Sequence, residues 1–353
     1  MARWGLMGAG GVSCHFAASL QFVPNATIQA VVSRSQERAS SFARSYGAKE
    51  FYTDYTDMLA DPAVEIVYVA TPTAFHAAHA IQALEAGKAV LVEKPFAATK
   101  EEAQQIADAA RASGRFCMEG MWMRFVPAVQ DIRRAVLAGE LGTPRLLQAD
   151  IGFHIPYAAD SRFYSREAGG GVILDLGIYG LSLAQYLLGW PDSLDAQIFE
   201  APNGVDEQAS ISLKCGETMV QIMCSFAGRL TNTARLAGTD ATIEVHEPFF
   251  APHAYTLERM TQSPSASHRS NTVKRSVFDR YPLLARFRHS ARPLVQRLRG
   301  RRANVSHRFN GYGYQFEAME AQRCLAAGLT ESKTMPLDDS VRLIELVDRA
   351  LAS

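Results

Sequence analysis

The stretch KAVLVEKPFA, residues 88–97, sets a lysine at the mouth of an apolar run, with a glutamate before it and a proline after it. Residues 89–92 read as a buried strand, so Lys94 stands where that strand emerges, and Pro95 confines it to extended geometry. Glu93 is placed to hold the ammonium. Further along, AGGGVILDLGIYG carries Asp175 and Tyr179 four residues apart, on one face if the segment is helical. The three glycines before them permit a turn or a close approach to a ligand. Tyrosine is a poor base at its ordinary pKa of about 10, but an adjacent ammonium favours the phenolate. A lysine and tyrosine pair is thus a means of moving a proton on or off an alcohol oxygen near neutral pH. A lysine snorkelling from a strand end is the plainer explanation of Lys94, and its two neighbours weigh against it.

Such residues need a scaffold. Over residues 1–123 the runs RWGLMG, TIQAVVS, EIVYVA, KAVLVE and RFCMEG alternate with helical segments. In TKEEAQQIADAARASG, for example, Thr99 and Glu102 form a capping box and Gly114 stops the helix. Strands and helices alternating in this way predict a doubly wound parallel sheet, which binds ligands beyond the carboxyl ends of its strands. Lys94 lies at such an end. GLMGAGGVS follows the first strand, where Gly8, Gly10 and Gly11 let the backbone approach a pyrophosphate at a helix N-terminus. Ser13 at the third fingerprint position is small enough for close packing. A tight turn alone would use the same glycines, but their place inside a βαβ pattern favours a dinucleotide. At the end of the second strand, VVSRSQERA offers Ser33, Arg34 and Arg38, with no acid before Glu37. An NAD site usually carries an acid there, whereas arginine pairs with a 2′-phosphate. NADP is therefore expected and NAD is the alternative, unless Arg34 is a solvated surface residue.

The second part, 124–353, reads differently. After a helix near 126–138 come RLLQADIGF, EQASISLKC, TMVQIMCSF, TNTARLAGT and ATIEVHE, separated by turn residues. Closely spaced strands predict an α+β domain with a large, mostly antiparallel sheet. The chain's 353 residues and zero formal charge fit two globular domains without a global pull toward nucleic acid or membrane. The start lacks a signal-peptide pattern, and five scattered cysteines form no CxxC pair, so a cytoplasmic home, no disulfide framework and no metal are expected. His15, His79 and His154 lack ligand spacing. One local exception to neutrality is a basic insert at about 255–308: residues 265–308 hold twelve Lys or Arg against a single acid, Asp279. Within it Leu284, Phe287, Ala291, Leu294 and Leu298 recur at helical spacing, with Pro293 as a kink. A packing or lid element is the plain reading, an anionic surface or ligand the alternative, and no nucleic-acid module is recognisable.

EKP, ATPTAFH and AGGGVILDLGIY together resemble the oxidoreductase family of glucose-fructose oxidoreductase and inositol dehydrogenase, Gfo/Idh/MocA, over nearly the whole chain apart from the insert. Within it, MEGMWMRFVP and GGGVILDLGIY are most similar to the dimeric dihydrodiol dehydrogenase and NADP-dependent D-xylose dehydrogenase branch, which carries tyrosine where many relatives have histidine. The resemblance implies an N-terminal Rossmann domain and a C-terminal domain for substrate and oligomerisation. It implies a sugar, polyol or vicinal diol substrate and a homo-oligomer, dimer or tetramer, assembled through the C-terminal sheet. By position it makes Lys94 the catalytic lysine before an often cis proline, Tyr179 the general acid/base and Asp175 the carboxylate at the substrate. It places Thr71, Pro72, His76 and Glu93 beside the cofactor, Trp122 and Arg124 along the nicotinamide and substrate pocket, and Arg162 toward substrate. Some members of the family are catalytically silent regulators that bind a dinucleotide to control a protein partner, and the Lys94, Asp175 and Tyr179 set argues for catalysis instead.

Overall fold

The computed structural model describes residues 2–260 and 302–353. The apolar runs of the first part become β1 (Ala2–Met7), β2 (Ala26–Val32), β3 (Glu50–Tyr52), β4 (Ile66–Val69), β5 (Ala89–Glu93) and β6 (Cys117–Gly120). Helices α1 (Gly11–Leu20), α2 (Gln36–Tyr46), α3 (Tyr55–Ala60), α4 (His76–Glu85) and α5 (Lys100–Ser113) connect them. The strands make one six-stranded sheet in the order β3-β2-β1-β4-β5-β6, with every pair parallel. Strand order reverses at β1, which neighbours both β2 and β4, and a crevice opens there at the carboxyl ends. Helices cover both faces, so β4 and β5 are buried at every residue, as their unbroken apolar runs require. Each buried Val, Leu or Ile contributes about 1.5–3 kcal/mol, which makes the two strands a firm floor for the residues just beyond their carboxyl ends. The capping of α5 is as expected: the Thr99 hydroxyl accepts the Glu102 N–H at 3.2 Å, and the Glu102 carboxylate takes the Ala98 N–H at 3.0 Å.

A tight turn, Trp122–Phe125, leads from β6 to α6 (Pro127–Leu137). The second sheet comes next: β7 (Pro144–Gly152), β8 (Ser193–Glu200), β9 (Asp206–Cys215), β10 (Thr218–Ser225), β11 (Ala234–Gly238), β12 (Ala241–Val245), β13 (Ala254–Arg259) and β14 (Arg302–Ser306). Its order is β14-β13-β12-β11-β7-β10-β9-β8, antiparallel throughout except for the β7–β10 pair. Between β7 and β8 the chain forms a wide π turn, Ile173–Gly177, that runs into α7 (Ile178–Leu188). The helical stretch Arg166–Leu188 is long and apolar enough to cross a membrane, yet 83% of its apolar window is buried inside the fold. It is the core helix under the sheet. The last two helices, α8 (Tyr314–Ala326) and α9 (Leu337–Leu351), return to the first part, α8 against α1 and α9 against α5 and β6.

The basic insert opens and closes in paired strands. Its two ends are the strands β13 and β14, paired from Ala254↔Ser306 to Glu258↔Arg302. The expected amphipathic helix through Leu284, Phe287, Ala291, Leu294 and Leu298 lies outside the described residues.

Candidate active site

The cofactor half of the crevice is built from backbone. Gly8 has φ +115°, and a Cβ there would meet the Ala70 carbonyl oxygen at 2.6 Å, so only glycine fits. Added Cβ atoms at Gly10 and Gly11 would meet nothing within 4 Å, and they face the open crevice. Gly10 is also the N-cap of α1, which has neither a side-chain cap nor an acid in its first turn. Its unclaimed N–H groups are available to an anion. Opposite them runs the turn after β4, where the Thr71 carbonyl lies 2.8 Å from His76 Nε2 and the Thr71 hydroxyl 3.0 Å from His79 Nδ1. His76 is buried, which pushes its ring down to about 4, against the pull of the Pro95 and Thr71 carbonyls. At the far end Ser33, Arg34, Ser35, Arg38 and Tyr55 line the crevice. Neither arginine forms an ion pair with a described residue, and no acid lines that end. These features fit a dinucleotide carrying a 2′-phosphate.

The other half is built from side chains. β5 delivers Lys94 through a cis Lys94–Pro95 bond. Its ammonium donates to the Asp175 carbonyl at 2.7 Å and to Asp175 Oδ1 at 3.1 Å, and sits 4.7 Å from the centre of the Tyr179 ring. Both Asp175 and Tyr179 reach Lys94 because Asp175 lies on the wide π turn that precedes α7, a feature that recurs at functional sites. The Tyr179 oxygen accepts the Trp122 indole N–H at 2.8 Å. Around them is an aromatic wall: Phe250 stacks on Tyr179 at 5.2 Å, and Tyr314 stacks on Trp122 at 4.6 Å. Gly313, at φ +105°, makes room for that stack, since a Cβ would meet the indole at 2.9 Å. Phe153, Ile155, Arg162 and Phe163 complete the rim. The whole cleft measures about 1150 Å³, more than a drug-sized pocket needs and enough for a dinucleotide beside a small second molecule.

Electrostatics separate the two proton-handling groups. Burial disfavours the charge on Lys94, but Asp175, Tyr179 and Glu93 outweigh it and hold the ammonium above its ordinary value. Burial dominates at Tyr179 and pushes the phenol up to about 12, although Lys94 and the Trp122 N–H both pull it down. The ammonium favours the phenolate as expected, but burial outweighs it. Lys94 lies over the ring face, a cation–π position.

Two family models match in tandem: an oxidoreductase family model with an NAD-binding Rossmann fold over residues 2–121, and the GFO/IDH/MocA C-terminal domain over 129–244. A trans-1,2-dihydrobenzene-1,2-diol dehydrogenase from Homo sapiens is 30% identical over 354 residues, covering 98% of this chain and 95% of the relative. The chain belongs to the Gfo/Idh/MocA oxidoreductase family. A Danio rerio protein of the same name is 31% identical over 99% of this chain and 95% of its own. Among solved structures, a 3-ketoreductase from Actinomadura kijaniata in complex with NADP and TDP-benzene superposes with TM-score 0.77 at 22% identity, covering 98% of this chain and 96% of its own. A levoglucosan dehydrogenase in complex with NADH and levoglucosan gives TM-score 0.79 at 20% identity, over 99% and 97%. As a Gfo/Idh/MocA member this chain is an NAD(P)-dependent oxidoreductase acting on CH–OH groups.

Most of the expected residues of this oxidoreductase, Glu93 among them, meet in the cleft, and two, Arg124 and Ser13, have other surroundings. Arg124 does not line the pocket. It is fully buried and donates to Ser182 Oγ at 2.9 Å, Gln185 Oε1 at 2.7 Å and Asp339 Oδ2 at 2.9 Å, tying α7 to α9. In a turn of three residues per repeat, positions two apart point in different directions, so Trp122 faces the cleft and Arg124 the core. Ser13 is buried beneath the glycine loop and its hydroxyl has no partner among the described residues, which suits packing and not contact. Glu93 accepts the backbone N–H of Lys94 at 3.0 Å, and Asp175 is the residue that holds the ammonium. Phe250, Tyr312 and Tyr314 also line the cleft and escaped sequence reasoning. They lie beyond both signature motifs; GYGY at residues 311–314, aromatics alternating with glycine, was the one signal for Tyr312 and Tyr314, and Phe250 had none.

Proposed function

We propose that this oxidoreductase uses NADP and transfers hydride to or from a carbinol carbon of a sugar, polyol or vicinal diol, with Lys94 and Tyr179 as its proton-transfer pair. The observation that carries this reading is the fixed ammonium of Lys94, held by Asp175 against Tyr179 at the end of β5. NADP, when bound, supplies or accepts the hydride. Arg34, with Ser33 and Arg38, grips its 2′-phosphate, and Gly8, Gly10 and Gly11 admit its pyrophosphate to the start of α1. Trp122, Phe153 and Phe250 offer aromatic faces, which favours a ring substrate with an apolar face, as in the cyclic diols for which the dihydrodiol dehydrogenases are named. Arg162 stands at the rim, stacked 4.1 Å over Phe163.

The substrate oxygen takes its place between the Tyr179 hydroxyl and the Lys94 ammonium. With its phenol pushed up to about 12, Tyr179 rests as a proton donor, poised for carbonyl reduction. In alcohol oxidation it must first lose that proton, and the Lys94 charge and the Trp122 N–H offset part of the cost of burial. A second copy docks on the face of the second sheet that the described residues leave open, where Met219 and Met223 are 59% and 53% exposed, while α7 and α9 pack on the other face.

The test is absorbance at the reduced-nicotinamide band with NADP, cyclic vicinal diols and aldoses, for wild type and Tyr179→Phe. Expected is turnover that falls at least about 100-fold in the variant while NADP still binds. Tight cofactor binding with no turnover on any substrate would overturn the reading.

A further inference from the structure

The turn that presents Lys94 is held by carboxyl groups the reaction does not use. Pro95 has no N–H, so the turn offers two donors. Lys94 N–H goes to Glu93 Oε2 at 3.0 Å, and Phe96 N–H goes to Glu119 Oε1 at 3.1 Å. The Pro95 carbonyl lies 2.8 Å from His76 Nδ1. Glu119 comes from β6, the neighbouring strand, and is wholly buried. Its second oxygen has no hydrogen-bond partner among the described residues. Behind it Glu317 of α8 is wholly buried with neither oxygen bonded, and a Cβ on Gly120 would stand 3.3 Å from its Oε2. Glu93 also accepts the Tyr68 hydroxyl. Three carboxyls from β5, β6 and α8 thus converge behind one catalytic turn.

A packed core has no need of such a cluster, because apolar residues of equal volume are as stable or better. We propose that Glu119 is a positioning residue for Lys94: by anchoring Phe96 N–H it fixes where the ammonium stands against Asp175 and Tyr179. The proposal rests on the reading of Lys94 as the proton-handling lysine. Its charge balance supports it. Burial pushes Glu93 and Glu119 each up to about 7, and Glu317 above the ordinary carboxylate range. Of the groups facing Glu119, Arg124 favours its ionised form and Glu93 opposes it, with the Ser340 hydroxyl alongside. A protonated Glu119 still accepts from Phe96 through Oε1. An ionised one grips the same N–H as a charged acceptor and adds negative charge behind the turn, so the set of the turn answers to its ionisation. A misplacement of about 1 Å costs about 10²-fold in rate.

The experiment compares kcat, NADP Kd and the pH profile of kcat for wild type, Glu119→Ala, Glu119→Gln and Lys94→Ala. Expected for Glu119→Ala is a fall in kcat of roughly 10- to 100-fold with Kd within about three-fold, since only the placement of a reacting group is lost. Glu119→Gln keeps an acceptor for Phe96 N–H, so it recovers most of that loss and removes one ionisation from the profile between about pH 6 and 8. Wild-type kcat in Glu119→Ala overturns the proposal, as does a glutamine variant no better than alanine. Should Glu119→Ala fail to fold, an unchanged pH profile in Glu119→Gln overturns it. Lys94→Ala separates the two claims. Turnover retained there defeats the proton-transfer reading, whereas turnover lost there and untouched in both Glu119 variants defeats this inference alone.

Discussion

At the Arg34 end of the cleft, glycines, uncapped N–H groups and unpaired arginines face solvent, and each acts with little help from the others. At the Lys94 end, side chains from β5, the Trp122 turn, the π turn, α7 and the Phe250 segment press together in burial, and that packing moves the proton affinities of Lys94 and Tyr179. The contrast comes from the kind of group each end must hold. A phosphate is recognised by fixed dipoles and cations, which work in high dielectric. A proton passed near neutral pH needs affinities moved away from their ordinary values, and only burial with specific charges does that. Variants at the two ends should therefore fail in different ways.

The largest effect is expected at the buried end. Lys94→Ala should lower kcat about 10²- to 10³-fold, as for loss of a preorganised charge, with NADP affinity nearly unchanged by titration. Comparable losses in both would erase the contrast. Arg34→Asp should do the reverse, weakening NADP by about 2 kcal/mol, roughly 30-fold, while NAD binding holds or improves. Equal losses for the two cofactors in a binding titration would show that Arg34 reads something common to both.

A smaller effect probes the coupling itself. Alcohol oxidation should climb with pH through the alkaline range, because Tyr179 is held up to about 12 by burial and must ionise to accept a proton. Trp122→Phe removes the N–H donated to that oxygen, so the limb should move up by about one unit. A limb that stays in place would remove Trp122 from the proton path. The smallest effect is on stability. Glu93 and Glu119, pushed up to about 7, keep protons that the unfolded chain has already released. Their contribution is complete below the ordinary carboxylate range and lost as pH rises to about 7, with a slope of up to about 1.4 kcal/mol per unit for each group. Glu317→Gln removes a third such group and should flatten the fall in thermal midpoint between about pH 5 and 8. An unchanged slope would mean Glu317 takes no part.

Much of the first sheet was legible because its signals are local. An apolar run bounded by glycine or proline marks a buried strand, and Thr99 with Glu102 marks a helix start, whatever lies elsewhere in the chain. The short edge strand β3 and the strand β8 were missed, since three residues, or a run with most positions exposed, carry little hydrophobic pattern. The strands at the two ends of the basic insert were not read for a related reason: β13 and β14 pair with each other across a long separation, and charge alone gives no strand signal.

The sequence by itself determined the glycine loop, the absence of an acid at the end of β2, and the presence of Lys94, Asp175 and Tyr179, because each depends on residue type and short spacing. Tertiary structure alone decided that Asp175 holds the ammonium, that Arg124 turns inward, and that Phe250 and Tyr314 close over Trp122. It also decided that burial outweighs the Lys94 charge at Tyr179, since a pKa answers to desolvation and to charges brought close by folding. The same holds for Glu119 and Glu317, two unremarkable glutamates in the chain that become a buried cluster only where β6 and α8 meet.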